Sequence, residues 1–282
     1  MLNDSVDPAA EYRDPRWFVR EQRSVVGRHW MLLCDAGKLR DPGDYASRWF
    51  GEASVAVVVG ADGQRRAFHN FCLHSAFATL LSGEGNCGTE IVCMVHGWRY
   101  TLNGRLTLPS SGGGSTLMKA DFVERSGLIF VNAGVDPDQL DSDLTPAAVA
   151  ALDRLAMADD VVHLDADDIH ADANWKFVVT RMIGALGDEH FVYPTAFYVP
   201  VDGGIVVITV RPSYIARTYV TVHVASPAAD AKAHCERFVA LAEGAVEQAQ
   251  HDHQALDAGP VEKKISEFYG RLAAEVPPAR RF

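Results

Sequence analysis

No apolar stretch in this 282-residue chain approaches the length of a bilayer span, and no run of Lys or Arg forms a basic patch. The first absence argues against a membrane protein. The second, with a formal net charge of −11, argues against nucleic acid or an anionic membrane as the main partner. A leader pattern is missing as well: MLNDSVDPAAEYRDPRWF is acidic and polar where a signal peptide is basic and then apolar. Cysteine is scarce and odd in number, five in all, and two of the five stand beside histidines rather than at disulfide-like spacings. A reducing, cytoplasmic compartment with metal-binding cysteines is the expectation. There is no internal repeat. The one low-complexity tract, GGG at 112–114, has no strand-to-helix junction followed by Lys, so it reads as a flexible loop rather than a phosphate cradle.

What is present is enough apolar residue, 48%, for a substantial core. Three zones follow along the chain. Residues 1–27 contain DPRWFVREQRSVV, with Trp17, Phe18, Val25 and Val26 spaced like one face of a helix that packs on the body. Residues 28–137 are rich in strand signals. VAVVV at 55–59, then GADG, then QRRAFHNF write a hairpin turning at Asp62-Gly63, and WRYTLNGRLTL writes another in which Asn103-Gly104 suits a type I′ turn. GLIFVNAG at 127–134 closes this zone, which reads as a small barrel or sandwich. Residues 138–282 mix long strands, at 205–210 and 214–225, with a helical pattern from about 230 to 276 that breaks at DAGP, 257–260.

The chemistry is written in FCLHSAFATLLSGEGNCGTEIVCMVHGWRYTLNGR: Cys72 and His74 as Cys-x-His, then Cys93 and His96 as Cys-x-x-His. Two cysteines and two histidines suit tetrahedral zinc, but small zinc fingers usually set a helix between the pairs. Here the pairs fall at the tips of two hairpins. That placement suits a Rieske-type [2Fe–2S] cluster, with Cys72 and Cys93 on one iron and His74 and His96 on the other. Neutral imidazole in place of charged thiolate raises the potential above that of an all-cysteine ferredoxin. Cys34, Cys87 and Cys235 have no such partners and read as core or loop thiols. His29, His69, His163, His170 and His223 carry no motif and read as surface or internally satisfied histidines.

The segment from Trp30 through GKLRDPGDYASRWFGEASVAVVVGADGQRRAFHNFC, with HGWRYTLNGRL and GLIFVNAG, resembles the Rieske domain that opens the large subunit of ring-hydroxylating oxygenases. Ser75-Ala76 depart from the Arg-Gly usual after the first His of that family. The resemblance implies an α+β fold: a β-rich Rieske [2Fe–2S] domain, then an antiparallel sheet covered by helices. It also implies a reductase or ferredoxin donor, a trimeric or mixed oligomer, and O2-dependent ring hydroxylation or oxidative demethylation with NAD(P)H-derived electrons.

Downstream the family pattern degrades. Asn174-Trp175-Lys176 matches the family's entry into the helix that presents its mononuclear Fe(II) ligands. Counted without gaps, the family's first His falls at Asp188, its second at Tyr193 and its bridging Asp at Ala185. A two-residue slip puts His190 first but Thr195 second. Asp252, flanked by His251 and His253, stands where the later carboxylate ligand belongs. Asp188, His190 and Asp252 are therefore the candidate residues for an unusual iron site, to be weighed against a relic pocket of solvated side chains. The expectation is an oxygenase component without an active mononuclear iron, beside two rivals: a self-sufficient oxygenase with rearranged ligands, and a plain electron carrier or redox sensor.

Overall fold

The computed structural model describes residues 10–24, 26–109 and 114–255. Two helices open the described chain, α1 (Ala10–Arg13) and α2 (Pro15–Ser24). Twelve strands follow: β1 (Met31–Asp35), β2 (Asp44–Phe50), β3 (Ala53–Val59), β4 (Arg65–His69), β5 (Phe71–Cys72), β6 (Ser75–Thr79), β7 (Glu84–Asn86), β8 (Glu90–Val92), β9 (Arg99–Thr101), β10 (Leu106–Leu108), β11 (Asp121–Arg125) and β12 (Leu128–Asn132). Then come α3 (Leu140–Asp143), α4 (Pro146–Leu155), β13 (Val161–Asp165), β14 (Ile169–Ala171), α5 (Trp175–Leu186), β15 (Phe191–Val192), β16 (Ala196–Val201), β17 (Gly204–Tyr214), β18 (Arg217–Pro227) and α6 (Ala228–Ala255).

The chain divides into two compact units, Arg28–Leu140 and a second made of the chain up to Gly27 together with that from Asp141 onward. In the first unit antiparallel strands form sheets ordered β4-β3-β2-β7, β1-β12-β11 and β10-β9-β8, with β5-β6 as a two-stranded ribbon. The valine run of β3 is buried almost throughout, as β-branched side chains between two covered faces favour. Gly104 turns the β9–β10 connection at φ 79°, and a Cβ there would lie 2.7 Å from the Phe68 ring. Asn103 keeps a negative φ, so this turn is not type I′, which needs both central residues left-handed.

In the second unit one antiparallel sheet runs β13-β18-β17-β16-β15, with β14 also paired to β18. The strand signal that continued through 214–225 is broken in the structure: β17 runs on to Tyr214, Ile215 and Ala216 turn, and β18 begins at Arg217. α4 starts on Thr145, whose side chain accepts from the Ala148 amide, and buries Ala148, Ala151, Leu152 and Leu155 on one face. α5 starts on Asn174, whose side chain accepts from the Lys176 amide, and stops at Gly187, φ 98°. A core of α2, α5, α6 and sheet residues includes Phe18, Trp175, Phe177, Met182, Ile208, Val222 and Phe238. The part of the expected helical pattern beyond 255 lies outside the described residues, as does Val25. Among the described residues no helix is long and apolar enough to cross a membrane.

Candidate metal centre

Two hairpins build the site. β5 and β6 pair with Cys72 opposite Ser75, so Leu73 and His74 form the tip of a very tight turn. β8 and β9 pair from Glu90–Thr101 to Val92–Arg99, and residues 93–98 bulge out between them. The Cys93 amide donates to the Trp98 carbonyl and the Gly97 amide to that of Cys93. Gly97 sits at φ 70°, a left-handed position that glycine adopts without a Cβ penalty.

The four sequence-predicted residues are disposed asymmetrically. Cys72 and Cys93 are 4% and 1% exposed and belong to one apolar cluster with Val58, Phe68, Leu80, Ile91, Tyr100, Leu102, Leu106 and Leu117. His74 and His96 are exposed, and their rings meet edge to face with centroids 4.5 Å apart. Trp98 lies against His74, 5.1 Å between ring centroids. Leu73, Met94 and Val95 stand exposed beside them. Two buried thiols and two adjacent outward imidazoles are the donor set of a two-iron group with two sulfur and two nitrogen ligands. Such a group, when bound, supplies one-electron transfer.

Two residues that the sequence reading left unassigned position this site. The Tyr100 hydroxyl lies 3.1 Å from Cys72 Sγ and accepts from the Leu73 amide at 3.1 Å. Burial first, then the hydrogen bond with Cys72, pushes the Tyr100 phenol above its usual range, so it stays protonated and available as a donor. Asn70, 2% exposed, donates to Ser54 Oγ and to the Leu81 carbonyl and accepts from the Leu81 amide, which ties the first loop to the sheet. Tyr100 falls four residues after His96 in the same strand-turn segment, a spacing that could have flagged it.

The other cysteines behave as the sequence implied. Burial pushes the Cys34 thiol up to about 12, and the Cys87 thiol donates to the Gly43 carbonyl. His223 is buried, its Nδ1 2.7 Å from Asp165 and its Nε2 3.3 Å from His163 Nδ1.

The second set is placed differently. Asp188 and His190 lie together in a 3₁₀ turn after the Gly187 break, Asp188 exposed and His190 partly buried, with His190 Nδ1 lacking a hydrogen-bond partner. Asp252 lies on α6, where Arg181 of α5 engages both its oxygens, Nε to Oδ2 at 2.5 Å and Nη2 to Oδ1 at 2.6 Å. Among the described residues no three His, Cys, Asp or Glu side chains converge in a way that could hold one metal ion. The residues that enter this helix are instead structural. Lys176, fully buried, pairs with Glu21 of α2 at 2.6 Å, and Trp175 Nε1 donates to the other Glu21 oxygen at 3.1 Å.

Comparison with known proteins places the first unit. Residues 29–112 match the family model of the Rieske [2Fe–2S] domain. The chain is 27% identical over 184 residues to the carnitine monooxygenase oxygenase subunit of Escherichia coli (strain K12), covering 62% of this chain and 49% of that protein. It is 32% identical over 145 residues to the chlorobenzene dioxygenase subunit alpha of Cupriavidus sp. (strain PS12), covering 48% of this chain and 32% of that one. It spans about half the length of the curated carnitine monooxygenase relatives it matches. In fold it is similar to the apo form of a quaternary ammonium Rieske monooxygenase, with a TM-score of 0.74, 19% identity and coverage of 96% of this chain and 95% of that one.

Proposed function

We propose, from the premise that this chain carries a Rieske [2Fe–2S] domain and is homologous to oxygenase subunits of Rieske oxygenases, that it is an electron-delivering component of such an oxygenase without an active mononuclear iron of its own. The cluster is held by Cys72, His74, Cys93 and His96. The observation that carries this reading is their asymmetry: thiols sealed in an apolar core and imidazoles exposed at the tip. The exposed side is where an electron enters and leaves. A reductase or ferredoxin supplies it, and a related catalytic subunit in a mixed oligomer, in the cytoplasm, receives it.

The second half of the reading rests on Asp252, Asp188 and His190. Asp252 is already committed to Arg181, and Asp188 and His190 lie past a helix break, so this set does not fit a three-ligand iron site. The relatives named as carnitine and glycine betaine monooxygenases favour monooxygenation, with oxidative demethylation as its outcome, over ring dihydroxylation for the complex this chain serves.

Iron and acid-labile sulfide per chain on anaerobically purified protein test both halves. About two irons and two sulfides per chain, the content of one [2Fe–2S] cluster, fit the reading. A third iron that disappears on His190→Ala or Asp252→Asn, with substrate turnover by the purified chain alone, favours the self-sufficient oxygenase instead.

A further inference from the structure

We infer that Arg181 replaces a metal dication at the carboxylate of Asp252, so that an arginine–carboxylate fork joins α5 to α6 and closes the pocket between them to divalent ions. The inference rests on the reading above only in taking this pocket as non-catalytic.

Contacts among the described residues that tie α5 and its approach to α6 include these three. The Asp172 amide donates to Gln250 Oε1 at 2.9 Å, Phe177 meets the His253 ring edge on at 5.8 Å, and Arg181 forks onto Asp252. The third is the only ionic one of these. A cavity of about 320 Å³ opens beside it, lined by Arg181, Glu247, Gln248, His251 and Asp252. Glu247, His251 and Asp252 are of the right type to bind a hard or borderline dication, and Glu247 and His251 stand one helical turn apart on α6. Among the described residues these side chains do not converge on one ion, and charge bars the carboxylate of Asp252 from that role as well. The planar guanidinium engages both oxygens of Asp252 in parallel, the geometry in which arginine matches a carboxylate best. A dication at that carboxylate would sit within hydrogen-bond reach of the guanidinium, a positive charge that no working pH removes. Arg181 and Asp252 side chains are 35% and 20% exposed, so the pair is partly screened, and both residues line the pocket.

The test is a double-mutant cycle on the full chain with its cluster in place, Arg181→Gln, Asp252→Asn and both together, read by melting temperature, with Mn(II) binding followed by the EPR signal of the free ion. The expected result is that wild-type protein leaves added Mn(II) free. Each single variant melts a few degrees lower, and the double variant no lower than either alone, because the two changes remove one and the same contact. Arg181→Lys serves as a second variant should Arg181→Gln fail to fold. It keeps the charge without the fork, so it too leaves Mn(II) free while melting lower. Additive losses with no Mn(II) bound overturn the inference and leave the electron-delivery reading standing. One Mn(II) bound per wild-type chain and lost in Asp252→Asn overturns the inference and the claim of a non-catalytic pocket together.

Discussion

Tyr100→Phe isolates one hydroxyl at the proposed cluster. The ring it leaves behind still fills a site where Tyr100 is fully buried, so packing is preserved and the change is electrostatic. The lost hydroxyl lies 3.1 Å from Cys72 Sγ, and with Cys72 as a cluster thiolate it is the donor of that bond. A hydrogen bond to a charged acceptor contributes about 1.5–3 kcal/mol, and it strengthens when reduction adds an electron to the acceptor. If about a third of that energy differs between the two oxidation states, the difference is about 0.5–1 kcal/mol. At about 59 mV per tenfold change for a one-electron couple, the midpoint falls by roughly 20–40 mV. An EPR-monitored redox titration of wild type and Tyr100→Phe reads this directly. The visible spectrum confirms equal cluster loading in both. A midpoint that stays put or rises in a fully loaded variant refutes the argument, because it would mean that Tyr100 does not donate to a ligand of the cluster.

Cys93→Ser removes one thiolate ligand, and iron, sulfide and the visible absorption of the cluster should vanish together; retention of all of them rules out Cys93 as a ligand. Lys176→Met takes from the buried Glu21 carboxylate its charged partner and leaves the Trp175 hydrogen bond, at a cost of about 3–5 kcal/mol, so the second unit should melt roughly 10 °C lower, with partial recovery in Glu21→Leu/Lys176→Met. An undiminished melting temperature would show the pair to be dispensable. Burial holds His69 below its ordinary value, against a smaller opposing pull from Asp121. As the pH falls below about 6.5 the unfolded chain therefore takes up this proton first, and stability is lost down through the lowered folded value. His69→Gln should flatten that part of the pH dependence in denaturant unfolding between about pH 8 and 5, and an identical slope in both proteins counts against it. With Cys34 buried and its thiol pushed up to about 12, a thiol reagent at pH 8 should label Cys235 and Cys87 in the native protein but Cys34 only after denaturation.

The strands of the first unit were legible because their signals are local. The valine run of β3 and the turn glycines each specify conformation within a few residues. The paired Cys-x-His and Cys-x-x-His spacings work in the same way, since each loop carries its two proposed ligands on one turn. Tyr100 and Asn70 escaped notice because their roles exist only in three dimensions. One reaches 28 residues back to Cys72, and the other 11 forward to Leu81. Counting along α5 from Asn174 assumes one unbroken helix, but the chain leaves the helix at Gly187, before Asp188 and His190 are reached. No spacing rule could have paired Arg181 with Asp252 across 71 residues, since that contact depends on how α5 packs on α6. His223 illustrates the same limit: read as ordinary, it is 2% exposed and held between Asp165 and His163 by strand register.

The ion pair between Glu21 and Lys176 spans 155 residues of sequence, and the whole of the first unit, Arg28–Leu140, lies inside that interval. On a ribosome adding about 5–20 residues per second, Glu21 emerges on the order of 10–30 s before its partner. The continuous first unit can complete its sheets in that time, while the acidic side chain of α2 still awaits Lys176. Biogenesis therefore runs from the inside of the sequence outward. The unit that carries the Rieske domain can form as soon as it has been made, and α2, made before it, is among the last to settle.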